Sequence, residues 1–131
     1  MRVEFGIVAA LKADAAVSGV VSDRVYFERM PQGGSLPALT YQRISTSRRS
    51  FLDGSDTLTD VRVQVDAWGG SPVVVKDLAD KVRAVLEVVN TDLGAVPVKF
   101  GRLDAENDLS EFDGDEQTRR VSMSFVFTYH E

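Results

Sequence analysis

The sequence predicts an α+β fold in which two helices pack on one face of a mainly antiparallel sheet, in the order α-β-β-β-α-β-β. Two segments show apolar residues at helical spacing, and two long segments alternate apolar and polar residues. The strand-like segments follow one another in hairpin-like succession instead of alternating with helices, which is typical of antiparallel sheets. One apolar stripe per helix and one apolar face per strand predict a two-layer sandwich.

The first helix is expected over Val3 to Val17, with Gly19 as its stop signal. Arg24 to Phe27 has the pattern of a short strand. A loop rich in glycine and proline follows, and Pro37 then opens a second strand over Ala38 to Ser47.

Leu58 to Trp68 shows the clearest strand pattern in the chain. Its apolar residues Val61, Val63, Val65 and Ala67 point one way, and Arg62, Gln64, Asp66 and Trp68 point the other. Asp53-Gly54 is suited to a turn with positive φ, so this strand and the preceding one are expected to form a long hairpin.

The second helix is expected to begin at Ser71-Pro72, a suitable N-cap and first helical residue. It is expected to end at 90–93, and its apolar stripe comprises Val75, Leu78, Ala79, Val82, Leu86 and Val89. A strand is predicted over Val96 to Leu103, an irregular acidic stretch over Asp104 to Glu116, and a last strand over Thr118 to Tyr129. The apolar face of the last strand comprises Val121, Met123, Phe125, Phe127 and Tyr129.

A chain of 131 residues with 44% hydrophobic content is expected to form one domain over residues 1–131. The absence of cysteine excludes disulfides, zinc-thiolate sites and thiol catalysis. Lys12 and Asp14 interrupt the N-terminal apolar stretch, which argues against a signal peptide. No segment approaches the ~20 apolar residues of a membrane span, so no membrane partner is expected.

The charge is distributed unevenly along the chain. The net charge is −5, but residues 1–50 hold seven Lys/Arg against four Asp/Glu, whereas residues 51–131 hold eight against sixteen. Such polarity suits head-to-tail assembly if it places opposite charges on two faces. The alternative is that the two halves interleave in the fold and the asymmetry averages out.

No arrangement of residues predicts an enzyme, a cofactor site or a metal site. His130 is the penultimate residue, and chain ends usually fray, so a catalytic relay through it is not expected. Gly33-Gly34 lacks the following lysine of a phosphate-binding loop. The acidic stretch has Leu109 where a calcium loop beginning at Asp104 needs glycine.

Candidate interface residues lie in three places. The only basic cluster begins in the second strand and continues past its end. Its arginines could bind DNA phosphates or an acidic partner subunit, and the alternative is that they form a solvated strand end. The adjacent hairpin tip carries apolar residues with no evident intrachain burial, and the tryptophan on the polar strand face is either a rim residue or an interface anchor. These candidates are Arg43, Arg48, Arg49, Phe51, Leu52, Asp53 and Trp68.

An ordered run of short motifs resembles a known family. Its pieces are Asp23-Arg24-Val25-Tyr26, Pro31-Gln32-Gly33, Leu36 to Ser45, Asp53-Gly54 and Val61 to Trp68, followed by the amphipathic helix. In this order they resemble the small tail-completion or tail-terminator proteins of long-tailed bacteriophages.

The resemblance implies a structural virion protein located in the tail and assembled in the host cytoplasm. Such proteins form a ring, usually of six subunits, that caps the head-proximal end of the tail tube and stops its polymerisation. The implied partners are further copies of the chain, the tail tube protein and the head–tail connector protein, with double-stranded DNA passing through the bore without specific binding. A stopper or adaptor is the alternative, and a small ligand-binding or enzymatic domain is a more remote one.

A ring around a DNA conduit is expected to avoid tight phosphate binding in its lining. The stretch 104–116 has seven acids and no lysine or arginine. The lumen-facing candidates are Asp113, Asp115 and Glu116, with a solvated acidic loop as the alternative.

Overall fold

A six-stranded sheet with helices over one face forms the framework of the protein. The computed structural model describes residues 2–31, 34–50, 57–113 and 116–130. The elements within these residues are α1 (Val3–Ala13), α2 (Ala15–Val21), β1 (Val25–Phe27), β2 (Ala38–Ser50), β3 (Thr57–Gly69), α3 (Pro72–Leu86), β4 (Val88–Leu93), β5 (Val96–Asp113) and β6 (Glu116–His130). The strand order is β1-β2-β3-β6-β5-β4, with β1 parallel to β2 and every other neighbouring pair antiparallel. The predicted α+β class with a mainly antiparallel sheet is therefore confirmed.

The predicted first helix is two helices, because the chain breaks at Asp14. Asp14 has extended backbone angles (φ −76, ψ 121), and its carboxylate accepts a hydrogen bond from the amide of Val17 at 3.0 Å. A side chain that caps a new helix competes with continuation of the old one. The stop expected at Gly19 is also wrong, since α2 continues to Val21.

The predicted end of the second helix contains a strand. α3 ends at Leu86, and Glu87 is extended (φ −83, ψ 99). Val89, expected on the helical stripe, lies in β4 and is 72% exposed. The order α-α-β-β-β-α-β-β-β replaces the predicted α-β-β-β-α-β-β, with three helices instead of two among the described residues.

The acidic stretch predicted to be irregular is part of a long hairpin. β5 continues to Asp113, and its register against β6 runs through Leu109↔Arg120 and Ser110↔Arg119 to Asp113↔Glu116. From Asp104 to Asp108 every second residue is an acid. A register shift at Asp104 places this carboxylate beside Arg62 on the sheet face away from the helices, whereas Asp108 lies on the helix side beside Lys76 of α3, so cations of the same chain offset the charge of both acids.

The core lies between the helices and one face of the sheet. The predicted apolar faces of β3 and β6 are buried, and so are the α3 residues Val75, Leu78, Ala79, Val82 and Leu86. From the N-terminal helices the same cluster receives Val3, Ile7, Leu11, Val17 and Val21. Gly6 sits where a Cβ would run into the carbonyl of Leu93, which explains a glycine inside α1.

Candidate interface surfaces

Arg43 is held within its own subunit by an ion pair with the first helix. Its guanidinium donates to the two carboxylate oxygens of Glu4 at 2.5 and 3.1 Å and to the hydroxyl of Thr46 at 2.9 Å. The side chains of Arg43 and Glu4 are 15% and 13% exposed. Burial acts to lower the pKa of Arg43, but the hydrogen bonds and charge of Glu4 outweigh it, so the pKa is raised.

The other members of the predicted basic cluster lie five and six residues further along β2. A β-bulge at Ile44 shifts the register between Arg43 and Ser45, and Arg48 is exposed opposite Thr59. Arg49 is described only through its backbone, which pairs with Leu58. The tip candidates Phe51, Leu52 and Asp53 lie outside the described residues. An interface role for these residues therefore stays a prediction.

Trp68 is packed into a polar layer on the sheet face away from the helices. Its indole N–H donates to the hydroxyl of Thr40 at 2.9 Å, and the guanidinium of Arg120 lies 4.9 Å from its ring centroid. On the same face Thr128 donates to Asp60 at 2.6 Å, and Asp66, only 6% exposed, accepts from Gln64 at 3.1 Å. These intrachain partners account for the half-buried position of Trp68.

The first acids of the predicted acidic stretch are paired with cations of the same chain. Asp104 accepts from Arg62 at 2.6 Å and from Arg102 at 3.0 Å, and these hydrogen bonds lower the pKa of its carboxyl. Asp108 accepts from Lys76 of α3 at 2.7 Å, which raises the pKa of the lysine. Of the lumen candidates, Asp113 and Glu116 are described through their backbone only, and Asp115 lies outside the described residues. Their orientation stays a prediction.

Sequence reasoning missed an exposed aromatic patch beside β1. Phe5 of α1 is 66% exposed and Phe27 of β1 is 59% exposed, and the rings of Phe27 and Tyr41 lie 5.6 Å apart. Burial, and then the charge of Glu4, raise the pKa of Tyr41, so its hydroxyl stays neutral at pH values where an exposed tyrosine begins to ionise. Phe5 was the available signal, because it falls off the apolar stripe of its helix.

Each outer side of the sheet has a stretch of strand without a neighbour among the described residues. β1 covers only Leu39 to Tyr41 of β2, which leaves residues 42–50 open, a stretch called here the β2 edge. β4 covers β5 only as far as Gly101, which leaves residues 102–113 open, and residues 102–110 of this stretch are called here the β5 edge. Both edges expose backbone hydrogen-bonding groups in the way that a sheet extending to another chain requires.

The described residues contain no group of three or more histidine, aspartate or glutamate side chains placed to hold a metal ion. Over the same part of the chain, no helix is long and apolar enough to cross a bilayer.

Comparison with protein families gives a match along nearly the whole chain. The model of the family described as "Tail completion protein gp17" matches residues 6–130. The chain belongs to this tail completion family. Family membership gives it a structural role in the phage tail, as the ordered motifs of the N-terminal half predicted.

The fold of this tail completion family member is also found in a solved structure. A chain of the "Virion of native gene transfer agent (GTA) particle" superposes with a TM-score of 0.74 at 15% sequence identity, covering 95% of this chain and 92% of the other. At that identity the likeness shows the fold alone. No curated protein matches the chain.

Proposed function

We propose that this member of the tail completion family is a tail terminator. Copies of the chain form a ring, with six subunits as the expected number, on the head-proximal end of the tail tube. The ring ends polymerisation of the tube protein and offers a surface to the head–tail connector protein. Assembly takes place in the host cytoplasm, and the finished ring is part of the virion tail. The observation that carries the proposal is the family match over residues 6–130.

Features of the chain itself support ring formation. A closed ring needs a heterologous contact, in which two different surfaces of the chain meet. The N-terminal 50 residues carry net positive charge and the remainder net negative charge. The exposed strand edges also lie on opposite sides of the sheet, on β2 and on β5. A structural role of this kind needs neither a catalytic residue nor a cofactor.

Particles assembled without the protein test the proposed function. Electron microscopy is expected to show overlong tails or tails that carry no head, and supplying the protein from a plasmid is expected to restore normal particles. Tails of normal length that fail only to join heads would favour a stopper or adaptor instead. Intact, infectious particles would contradict both roles.

The tip of the β5–β6 hairpin is proposed to face the lumen of the ring. Replacing Asp113, Asp115 and Glu116 by lysine adds cations that bind DNA phosphates. We expect rings to form as in the unmodified protein, while DNA ejection slows. DNA release triggered in purified particles, followed by dye fluorescence, measures the rate. An unchanged ejection rate, or a ring structure with this tip on the outer rim, would refute the lumen position.

A further inference from the structure

We propose that neighbouring subunits join through their sheets, with the β2 edge of one copy lying antiparallel to the β5 edge of the next. This inference rests on the proposed ring and names the segments that close it. The two edges comprise nine residues each, residues 42–50 and 102–110, so the backbone groups of one edge can pair with those of the other.

Strand direction fits this contact. In the order β1-β2-β3-β6-β5-β4 every neighbouring pair from β2 to β4 is antiparallel, so β2 and β5 run in opposite directions. A second copy placed beside the first in the same orientation therefore brings its β2 antiparallel to β5. The contact joins two different surfaces and continues in one direction, as a ring requires.

The outlines of the two edges are also complementary. In the register of the sheet, Gln42 lies level with Gln64, Ser124 and Ala105, so the open stretches of β2 and β5 occupy opposite ends of their strands. A copy displaced along the strands by several residues brings the open stretches together. In that position β4 of the first copy pairs with β5 beyond one end of the β2 edge, and β1 of the second copy pairs with β2 beyond the other end.

Charge favours the same pairing. The β2 edge contains Arg43, Arg48 and Arg49 and no acid, whereas the β5 edge contains Asp104, Glu106 and Asp108 and one arginine, Arg102. The intrachain ion pairs of Arg43, Asp104 and Asp108 offset part of this difference, but the two edges keep opposite signs in composition. Opposite charge on two meeting surfaces speeds their encounter and disfavours pairing of like edges. Like-edge pairing of β2 with β2 or β5 with β5 would put charges of the same sign together.

Each edge also exposes one large aliphatic side chain. Ile44 on the β2 edge is 49% exposed and Leu109 on the β5 edge is 40% exposed. Covering apolar area on joining adds to the hydrogen bonds that the edges exchange. A second copy of the chain is the occupant that these features support together.

Introduced cysteines test the contact cleanly because the chain has none of its own. Ser45 and Ser47 on the β2 edge and Ala105 and Asn107 on the β5 edge are exposed. Their register partners are Arg62, Asp60, Ser124 and Ser122, so all four lie on the sheet face away from the helices. Cross-strand neighbours on one face are close enough for a disulfide. The variants are S45C/A105C, S45C/N107C, S47C/A105C and S47C/N107C, which sample three registers.

Each variant is oxidised mildly under two conditions, at high concentration in solution and bound to isolated tail tubes. The mass of the products is then measured with and without reductant. At least one pair is expected to give a ladder of reducible multimers up to the closed ring. The yield of cross-linked multimers is expected to be roughly tenfold higher than in the matched control S47C/A84C, because ring contacts raise the effective thiol concentration. Ala84 is exposed on α3, away from both edges. Cross-linking is expected to fall as salt screens the charged edges.

The outcomes separate this inference from the proposed function. Rings of the expected mass with no cross-link in any of the four pairs would overturn the β2–β5 contact and leave the terminator role intact. Cross-linking of the control pair to the same extent would also overturn it. Absence of rings under every condition, together with no binding to tail tubes, would overturn the proposed ring itself.

Discussion

Replacing Gly101 by alanine is expected to destabilise the protein by about 2–3 kcal/mol, the cost of overpacking a filled core. A Cβ at this position would lie 2.5 Å from the carbonyl oxygen of Leu86 and 2.6 Å from the ring of Phe127. The first neighbour is backbone at the end of α3, and Phe127 is fully buried beside Phe125, so neither can move aside without disturbing the core. The free energy of unfolding from urea titration measures the effect.

Gly19 supplies the matched control, because the same substitution there has the opposite expected sign. No heavy atom lies within 4 Å of a Cβ built on Gly19, which lies exposed in α2. Alanine stabilises a helix interior by about 0.5–1 kcal/mol relative to glycine. A G101A variant as stable as the unmodified protein, or a loss of equal size in G19A, would contradict the packing described here.

The second large effect is expected from Arg43. Replacing it by methionine keeps the apolar stem but leaves the carboxylate of Glu4, 13% exposed, without its cation. An unpaired charge at a largely buried position is strongly unfavourable, and we expect a loss of about 2–4 kcal/mol, below the fully buried case because some solvent reaches the pair.

The double variant E4Q/R43M identifies the source of that loss. With both charges removed, the loss is expected to be smaller than the sum of the two single losses, giving a coupling energy of about 1–3 kcal/mol. If R43M unfolds like the unmodified protein but fails to complete tails, Arg43 acts at an interface and the ion pair contributes little to folding.

The sheet core could be predicted from the sequence because its strands meet two contrasting environments. β3 and β6 each place one face against helices and the other in a polar layer, so their residues alternate plainly along the chain. The apolar stripe of α3 was equally clear over Val75 to Leu86, since one side of that helix faces the core.

The missed elements are those whose local patterns favoured a different structure. Ala15 and Val17 continue the stripe of α1 in phase, which concealed the new helix capped by Asp14. Val89 falls one helical turn after Leu86, so it was predicted to be helical. The chain instead turns at Glu87 and enters β4. β1 is parallel to β2, an arrangement that the hairpin-like succession of strands gave no reason to expect.

The candidate interface residues show a second limit of sequence reasoning. The sequence placed Arg43 in a basic cluster without an acidic partner, because Glu4 lies 39 positions away along the chain and only the fold brings the two together. Trp68 likewise finds Thr40 and Arg120 through strand pairing. The position of Phe5 off its helical stripe was visible, but the chain alone did not reveal that Phe27 and Tyr41 would lie nearby.

The extra residues in β2 and β5, which flank the two central strands, have a geometric consequence for the whole sheet. The irregularities between Arg43 and Ser45 in β2 and between Leu103 and Ala105 in β5 lie in one row, level with Val63 and Phe125 of the central strands. Along this row β2 and β5 each have one residue more than the central strands β3 and β6, and such an irregularity is expected to bend its strand and increase the local twist. If subunits meet edge to edge, this bend sets the angle between neighbours, and the position of two single residues helps to determine how many copies close a circle.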